Sequence, residues 1–364
     1  MAPYFCEIFG NAASVDHRFG HVASVAVEKA RSQVANLIGA APEEIAFTSG
    51  ATEADNLAVK GVARHYAYKG DHLITVDTEH RAILDSYVDL EGEGKRVTYL
   101  SVDKDGLIEA EDVDDAIDED TVLVSVMTVN NETGVIQPIP AIGEVCRKRG
   151  VLFHTDAVQA IGRIPFNVND MRVDLVSMSA HKMYGPKGVG ALYMRRRNPR
   201  AQVTPMISGG GHEDGMRSGT LNVPGIVGFG AAAVLVSQAL DEESQRIEEL
   251  RRQFEGQLIA RIPGTTLNGH SDYRAPGTSN LSFEGCTGEM LIRAFNHVAA
   301  STGSACTTAH VEPSHVLTAM GIDYNTATGA IRFSLGRFTT EQEVQQAIEY
   351  VTKIVNDMRI APRE

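Results

Sequence analysis

The sequence contains no tryptophan and only four cysteines among its 364 residues. The cysteines are scattered, and no two of them form a C-x-x-C pair, so neither a disulfide framework nor a zinc site is expected. We therefore expect a protein of a reducing compartment, the cytoplasm, in which any single thiol is a candidate for reactivity. The four are Cys6, Cys146, Cys286 and Cys306.

Other features are also scarce. We identify no apolar run that approaches the roughly 20 residues of a membrane span. Residues 1–7 lack the basic start and apolar core of a signal peptide. Basic residues are few: 33 Lys and Arg against 47 Asp and Glu give a net charge of −14, which disfavours binding to phosphate backbones. We therefore expect no direct contact with nucleic acid and none with a membrane.

Strand-like and helix-like segments alternate along the chain, which predicts an α/β fold. The apolar run at residues 122–129 is typical of a buried parallel strand, and residues 190–194 are expected to return antiparallel. A long charged helix is expected over residues 240–262. We predict a large domain built on a mostly parallel sheet over residues 1–239, and a smaller α+β domain over residues 240–364.

Two candidate residues follow predicted strands. Lys182 lies in a segment dense in serine, histidine, glycine and proline, at the kind of strand end where open α/β sheets bind ligands. A partly desolvated lysine there forms a Schiff base readily, although an ordinary surface lysine fits the local pattern better. Asp156 requires a partner, either a protonated heterocyclic nitrogen or the amides of the next helix, and alone the amides are favoured.

Two further segments come after strands. Residues 48–53 form a strand-to-helix turn, where backbone N–H groups, aided by the Thr52 hydroxyl, are suited to hold a phosphate, although a plain capping turn is a serious alternative. The Gly-Lys-Ser/Thr ending of a Walker loop is absent. His80 is placed to stack on a bound ring or to move protons, although a lone histidine is more often structural.

The C-terminal part contains two more candidates. Cys306 lies among small and hydroxyl residues without apolar periodicity, which suggests a solvent-reachable loop and a reactive thiol. At its ordinary pKa such a thiol is only about 3% ionised at pH 7, so a nearby base or cation is needed. Arg332, within an apolar strand, requires an anion, which is either a substrate carboxylate or a structural salt bridge.

The order of these signals resembles the cysteine desulfurases of the NifS/IscS kind, which are class V aminotransferases among the fold-type I pyridoxal phosphate enzymes. The resemblance covers nearly the whole chain. The matching segments are TSGATE at 48–53, TEH at 78–80, NNETG at 130–134, DAVQ at 156–159, SAHK at 179–182, GGGHE at 209–213, RSGT at 217–220 and GSAC at 303–306.

The resemblance implies catalytic roles for three residues. Lys182 would hold pyridoxal 5'-phosphate through its aldehyde and then transfer protons, and His80 would stack over the cofactor ring. Cys306 would attack the sulfur of bound L-cysteine and become a persulfide, with alanine as the product. Asn131 and Arg332 would orient the substrate, Arg332 through its carboxylate.

The resemblance also implies a cofactor-binding set. Asp156 would pair with the pyridine nitrogen, and Gln159 with the ring hydroxyl. Thr220 would reach the phosphate of the partner subunit's cofactor, which implies a homodimer. The complete set is Ala51, Thr52, Asn131, Asp156, Gln159, Ser179, His181, Lys182 and Thr220.

Several alternatives stay open. A selenocysteine lyase, a class V aminotransferase and a non-catalytic sulfur-relay homologue would share this scaffold. The sulfur acceptor could be an iron–sulfur scaffold protein, a tRNA thiolation enzyme or the machinery of DNA phosphorothioation.

The strand and turn that usually precede the Phe-Gly-Asn segment of the family are absent here, so we expect cofactor binding to survive and turnover to suffer. One hypothesis for Met1 is an internal methionine taken as the start.

Overall fold

The strands are short, and most are buried along their whole length, as their apolar composition predicts. The computed structural model describes residues 1–303 and 313–360. The strands of these residues are β1 (Ile45–Thr48), β2 (His72–Val76), β3 (Arg96–Leu100), β4 (Thr121–Ser125), β5 (Leu152–Asp156), β6 (Leu175–Ser179), β7 (Gly190–Met194), β8 (Thr265–Leu267), β9 (Thr278–Phe283) and β10 (Ala330–Ser334).

Helices connect most of these strands. In chain order they are α1 (Pro3–Cys6), α2 (Arg18–Leu37), α3 (Ala51–His65), α4 (Arg81–Gly92), α5 (Ala110–Ala116), α6 (Ile139–Arg149), α7 (Val223–Arg261), α8 (Gly288–Ala294), α9 (His315–Ala319), α10 (Tyr324–Thr328) and α11 (Glu341–Ile360). Short 3-10 turns occur at Pro42–Glu44, Ala180–Met183 and Glu213–Gly215.

The backbone divides into two units. The first comprises residues 1–100, 109–128 and 138–240. The second comprises residues 101–108, 129–137 and the described residues from 241 onward. Two short segments before residue 240 are therefore packed with the C-terminal part of the chain. The division into domains at residues 1–239 and 240–364 stays a prediction.

The first unit is built on one mixed sheet, which among the described residues has seven strands in the order β1-β7-β6-β5-β4-β2-β3. Strands β3, β2, β4, β5 and β6 pair in parallel, and β7 runs antiparallel to both β6 and β1. The mostly parallel sheet and the antiparallel return at β7 confirm the sequence-based prediction. Strands β1, β2, β4, β5 and β6 consequently end at the same edge.

The second unit contains an antiparallel sheet with the order β10-β9-β8. Its buried apolar face packs with the C-terminal part of α7 and with α11. Central members of this core include Leu258, Leu281, Phe283, Ile331 and Ile348, all almost fully buried. This arrangement agrees with the α+β character predicted for the C-terminal part of the chain.

Some element bounds differ from the prediction. Strand β4 ends at Ser125 rather than at residue 129, although the amides of Val126 and Thr128 still donate to carbonyls of β5. Strand β3 was not predicted, because an edge strand that is half exposed has no continuous apolar run. The charged helix expected from residue 240 begins at Val223, since the preceding glycine- and alanine-rich residues continue the same helix.

Helix α7 also corrects an expectation about apolar length. It includes an 18-residue window with a mean hydropathy of 1.8, so the statement that no run approaches the length of a membrane span is wrong. Half of that window is buried within the chain itself. Because core helices of soluble proteins have the same property, this one helix is weak evidence for a membrane span.

A test of the sheet packing uses Gly190 on β7. A Cβ built there would lie 2.5 Å from the Met178 carbonyl oxygen and 2.7 Å from the backbone carbon of Gly50. We expect Gly190→Ala to lower the free energy of unfolding by about 2 kcal/mol, because backbone atoms cannot yield cheaply. Chemical denaturation measures the change.

Gly92 provides the matched control, because a Cβ at this end of α4 would meet nothing within 4 Å. Gly92→Ala should leave stability unchanged or raise it by up to about 1 kcal/mol. Equal stabilities of the two variants would contradict the close approach of β6, β7 and the β1–α3 turn.

Candidate active site

The shared edge of the first sheet brings together most of the predicted site residues. Ala51 and Thr52 begin α3 directly after β1, and His80 precedes α4 after β2. Asp156 is the last residue of β5, and Lys182 lies in the 3-10 turn after β6. Because these strands end at the same edge, residues that are far apart in sequence meet in one region, which is where open α/β sheets bind ligands.

Asp156 is a buried acid at this edge, with 6% of its surface exposed. Burial raises the pKa of its carboxyl group, and three neighbours oppose that shift: the Val158 amide, His80 and Lys182. The Val158 N–H donates to Asp156 Oδ1 at 2.9 Å. His80 and Lys182 thus lie within electrostatic range of Asp156 and partly offset the cost of burying its charge.

The start of α3 is suited to an anion. Among the described residues, no side chain caps this helix end, where Gly50 is the N-cap, so the first amides of a 15-residue helix are available. At the end of β6, Ser179 Oγ and His181 Nδ1 lie 2.8 Å apart. Burial, and next the charge of Lys182, lower the pKa of His181, which keeps its imidazole neutral at pH 7. These groups fit the phosphate of a cofactor.

The orientation of His80 is set locally. Its Nδ1 accepts a hydrogen bond from the Ala82 N–H at 3.1 Å, so the ring caps α4. Nδ1 is thereby an acceptor, and Nε2 carries the proton in the neutral ring. Gln159 lies in the turn after β5 and accepts a hydrogen bond from Arg163.

Thr220 is exposed, in the segment between the 3-10 turn Glu213–Gly215 and α7. Two ion pairs hold this segment. Arg217 Nε lies 2.8 Å from Glu53 Oε1, and Arg31 makes two contacts with Glu213, at 2.7 and 2.8 Å. The sequence analysis missed Arg31 as a supporting residue; the signal was an arginine on the otherwise apolar face of α2.

Glu213 is a buried carboxylate with a left-handed backbone conformation, φ +50°. It also accepts a hydrogen bond from the Phe47 N–H on β1 at 2.7 Å. The Arg31 guanidinium lies over the Phe47 ring, 4.8 Å from its centroid. The segment before Thr220 is therefore attached to β1 and α2 through groups that are costly to separate.

Asn131 and Arg332 belong to the second unit. Arg332 Nη1 donates to the Asn131 carbonyl at 2.7 Å, and the Arg332 backbone exchanges hydrogen bonds with Ser301. Among the described residues, Arg332 Nε is buried without a hydrogen-bond partner, and the contact recorded for Nη1 is to a backbone carbonyl rather than to a carboxylate. The structural salt bridge considered for Arg332 is thus not observed there, and the open Nε suits a carboxylate ligand.

Cys306 lies outside the described residues. After it in the sequence, the Ser314 hydroxyl donates to the Glu132 carboxylate and also accepts from the first amides of α9. Of the other cysteines, Cys6 is exposed, while Cys146 and Cys286 are buried. Burial strongly raises the pKa of the Cys146 thiol, which makes it a poor nucleophile.

Comparisons with known proteins identify the family of the chain. The family model described as aminotransferase class-V matches residues 1–347. A cysteine desulfurase IscS of Anaeromyxobacter sp. (strain Fw109-5) is 55% identical over 359 residues, covering 99% of this chain and 89% of that protein. A cysteine desulfurase of Mus musculus is 52% identical over 359 residues, covering 99% and 78%. The solved structure of a NifS-like protein superposes with a TM-score of 0.90 at 38% identity, covering 98% and 94%.

The chain therefore belongs to the class V aminotransferase family, with the fold of the fold-type I pyridoxal phosphate enzymes. Within that family it belongs to the cysteine desulfurases of the NifS/IscS kind. Both statements confirm the resemblance inferred from the sequence motifs.

His154, on the same face of β5 as Asp156, was not singled out by the sequence analysis. It is fully buried between Ser125 Oγ at 2.8 Å and Ser177 Oγ at 3.0 Å, and burial lowers the pKa of its imidazole to about 3. Below pH 6.5 the unfolded chain binds a proton here that the folded chain does not. The unfolding free energy therefore falls as the pH drops from 6.5 towards 3.

The variant His154→Gln removes this titration and keeps a donor and an acceptor between the two serines. Between pH 6.5 and pH 5 its unfolding free energy should fall by about 1.5 kcal/mol less than that of the wild type. Urea unfolding at the two pH values measures the difference. The same pH dependence in both proteins would show that His154 is not buried in its neutral form.

Proposed function

We propose that this chain is a pyridoxal 5'-phosphate-dependent cysteine desulfurase, which converts L-cysteine to L-alanine and transfers the sulfur to Cys306. The observation that carries the proposal is the meeting of Lys182, Asp156 and His80 at one sheet edge, beside the uncapped start of α3. Membership of the cysteine desulfurase family supports the choice of substrate.

The proposed cofactor set uses groups suited to each part of the molecule. Lys182 holds the aldehyde, His80 stacks on the ring, Asp156 pairs with the pyridine nitrogen, and Gln159 contacts the ring hydroxyl. The phosphate is bound by Ala51, Thr52, Ser179 and His181, and by Thr220 from the partner subunit. Bound pyridoxal phosphate supplies the electron sink that carbon–sulfur cleavage at the β-carbon needs.

Side chains of the protein bind the substrate, transfer protons and accept the sulfur. Arg332 binds the substrate carboxylate with its planar fork. Asn131, whose carbonyl accepts a hydrogen bond from Arg332, helps to orient the substrate. Lys182 takes and returns protons at the substrate carbons. The Cys306 thiolate attacks the substrate sulfur. L-cysteine and the Cys306 thiol give L-alanine and a Cys306 persulfide, so atoms and electrons balance without a further reductant.

A protein acceptor then receives the sulfur. Candidates are an iron–sulfur scaffold protein, a tRNA thiolation enzyme and the DNA phosphorothioation machinery. Cytoplasmic localisation fits the buried thiols Cys146 and Cys286. Capture of the persulfide-bearing protein with cell extract, followed by mass spectrometry, identifies the acceptor; sulfur that leaves only as free sulfide would argue against a protein acceptor.

We further propose that the enzyme is a homodimer. Phe5, Phe9 and Phe19 lie close together in the sequence, and each exposes more than 60% of its surface. Such a concentration of exposed aromatic residues is typical of an interface. An exposed Thr220 also fits a role in a neighbouring subunit's site. Sedimentation equilibrium should give twice the chain mass of 39.3 kDa; a monomer at micromolar concentration would contradict the dimer and the role of Thr220.

Two variants test the catalytic roles of Lys182 and Cys306 separately. Lys182→Ala should lose the visible absorption of lysine-held cofactor and turn over no L-cysteine. Cys306→Ser should keep that absorption, and its response to L-cysteine, but form no persulfide and release no sulfide, because the acceptor thiol is missing. Absorption spectra, alanine assays and mass spectrometry of the chain measure these outcomes.

Cys6→Ser is the matched control, since Cys6 is an exposed thiol, and its rate should equal that of the wild type. A persulfide mapped to Cys6, Cys146 or Cys286 would overturn the role of Cys306. Activity retained in Lys182→Ala would overturn the cofactor assignment.

A further inference from the structure

A series of buried polar groups runs across one face of the first sheet beside Asp156. It begins at Asp55 on α3 and continues through Ser177 on β6 and His154 on β5 to Ser125 on β4. His154 and Asp156 are two residues apart on one strand, so their side chains lie on the same face of the sheet. Asp156 and Ser177 are paired neighbours in the β5–β6 register.

The surroundings of Asp55 disfavour a negative charge on its carboxyl group in addition to that of Asp156. Asp55 is 1% exposed, and its Oδ1 has no hydrogen-bond partner among the described residues. The nearest ionisable ring is that of His154, whose Nε2 lies 3.9 Å from Asp55 Oδ1. This ring is neutral because burial lowers its pKa. Two further carboxyl groups, Asp156 and Glu79, face Asp55. An ionised Asp55 would therefore be an uncompensated buried charge.

Burial raises the pKa of both aspartates, but their other neighbours act differently. For Asp55, burial and then the charge of Asp156 raise the pKa well above its ordinary value; the Ser177 hydroxyl opposes this rise and Glu79 adds to it. For Asp156, burial also raises the pKa, but the Val158 amide, His80 and Lys182 oppose that rise because they favour the ionised form. When two neighbouring carboxyl groups compete in this way, the group with the better partners takes the single charge.

We propose that Asp55 is a positioning residue for Asp156, held as a neutral acid that donates its proton to Ser177 and leaves the charge of the pair on Asp156. The proposal relies on the proposed function only for the purpose of that charge, which is to pair with the cofactor.

A neutral Asp55 fixes the direction of every hydrogen bond in this series. Asp55 O–H donates to Ser177 Oγ, the Ser177 hydroxyl donates to His154 Nε2, and His154 Nδ1–H donates to Ser125 Oγ. An ionised Asp55 would accept from Ser177 and reverse every bond, so the imidazole proton would then lie on Nε2. The tautomer of His154 therefore reports the protonation state of Asp55.

Two variants of similar shape test the proposal. Asp55→Asn keeps an N–H donor towards Ser177, whereas Asp55→Leu has none. On the protein as purified, at neutral pH, infrared difference spectra should show a protonated carboxyl band in the wild type that both variants lose. The ¹⁵N spectrum of labelled histidine, with His154→Gln to identify the signal, should show Nδ1–H in the wild type and in Asp55→Asn.

The positioning role is measured with pyridoxal 5'-phosphate itself. Asp55→Leu should weaken its binding about tenfold, the loss typical of removing a group behind a ligand, and Asp55→Asn should restore most of it. Absence of the acid band in the wild type, or His154 as the Nε2–H form, overturns the proposal. Equal cofactor affinity in Asp55→Leu and the wild type overturns the positioning role. If the wild type binds no cofactor, the proposed function fails, while the infrared and ¹⁵N results still decide the state of Asp55.

Discussion

A carboxylate at the end of a buried strand is stable only when other groups compensate its charge, and Asp156 imposes this requirement on the first unit. Strand β5 is the middle strand of its sheet, so Asp156 is buried from both sides. Its compensation comes from the Val158 amide in the following turn, from His80 beyond β2 and from Lys182 beyond β6. The strand order, with β4 and β2 on one side and β6 on the other, is what delivers these two bases to the same place.

The sequence alone was sufficient for features that depend on local pattern. The apolar strands that precede Lys182 and end at Asp156 predicted both the sheet and the edge at which these residues meet, and the motifs identified the family. Partners that are distant in sequence were not predictable in this way. No spacing rule connects Arg31 with Glu213, or Asp55 with His154, because the fold alone brings these residues together. Arg332 illustrates the middle case, since its strand indicated a need for an anion without saying which one.

Helix α7 shows a different limit. Its first half is rich in glycine and alanine and has no charged residues, so the amphipathic pattern that identified residues 240–262 was absent there. The same residues were also not recognised as an apolar run, because glycines interrupt the large aliphatic side chains. Hydrophobic periodicity predicts helices that have a polar face. It is less informative for α7, which contains a long apolar stretch, half of it buried.

The edge position of β1 has a consequence for synthesis of the chain. This strand pairs with β7, and the register joins Phe47 to Ala191 and Ile45 to Tyr193. The partner is made about 140 residues later, which at ribosomal speeds corresponds to roughly 7–30 s. During that interval β1, with its two large apolar side chains, has no partner strand in the sheet. Glu213, the ion-pair partner of Arg31, has not yet been synthesised either. The nascent chain should therefore depend on chaperones most strongly before β7 emerges from the ribosome.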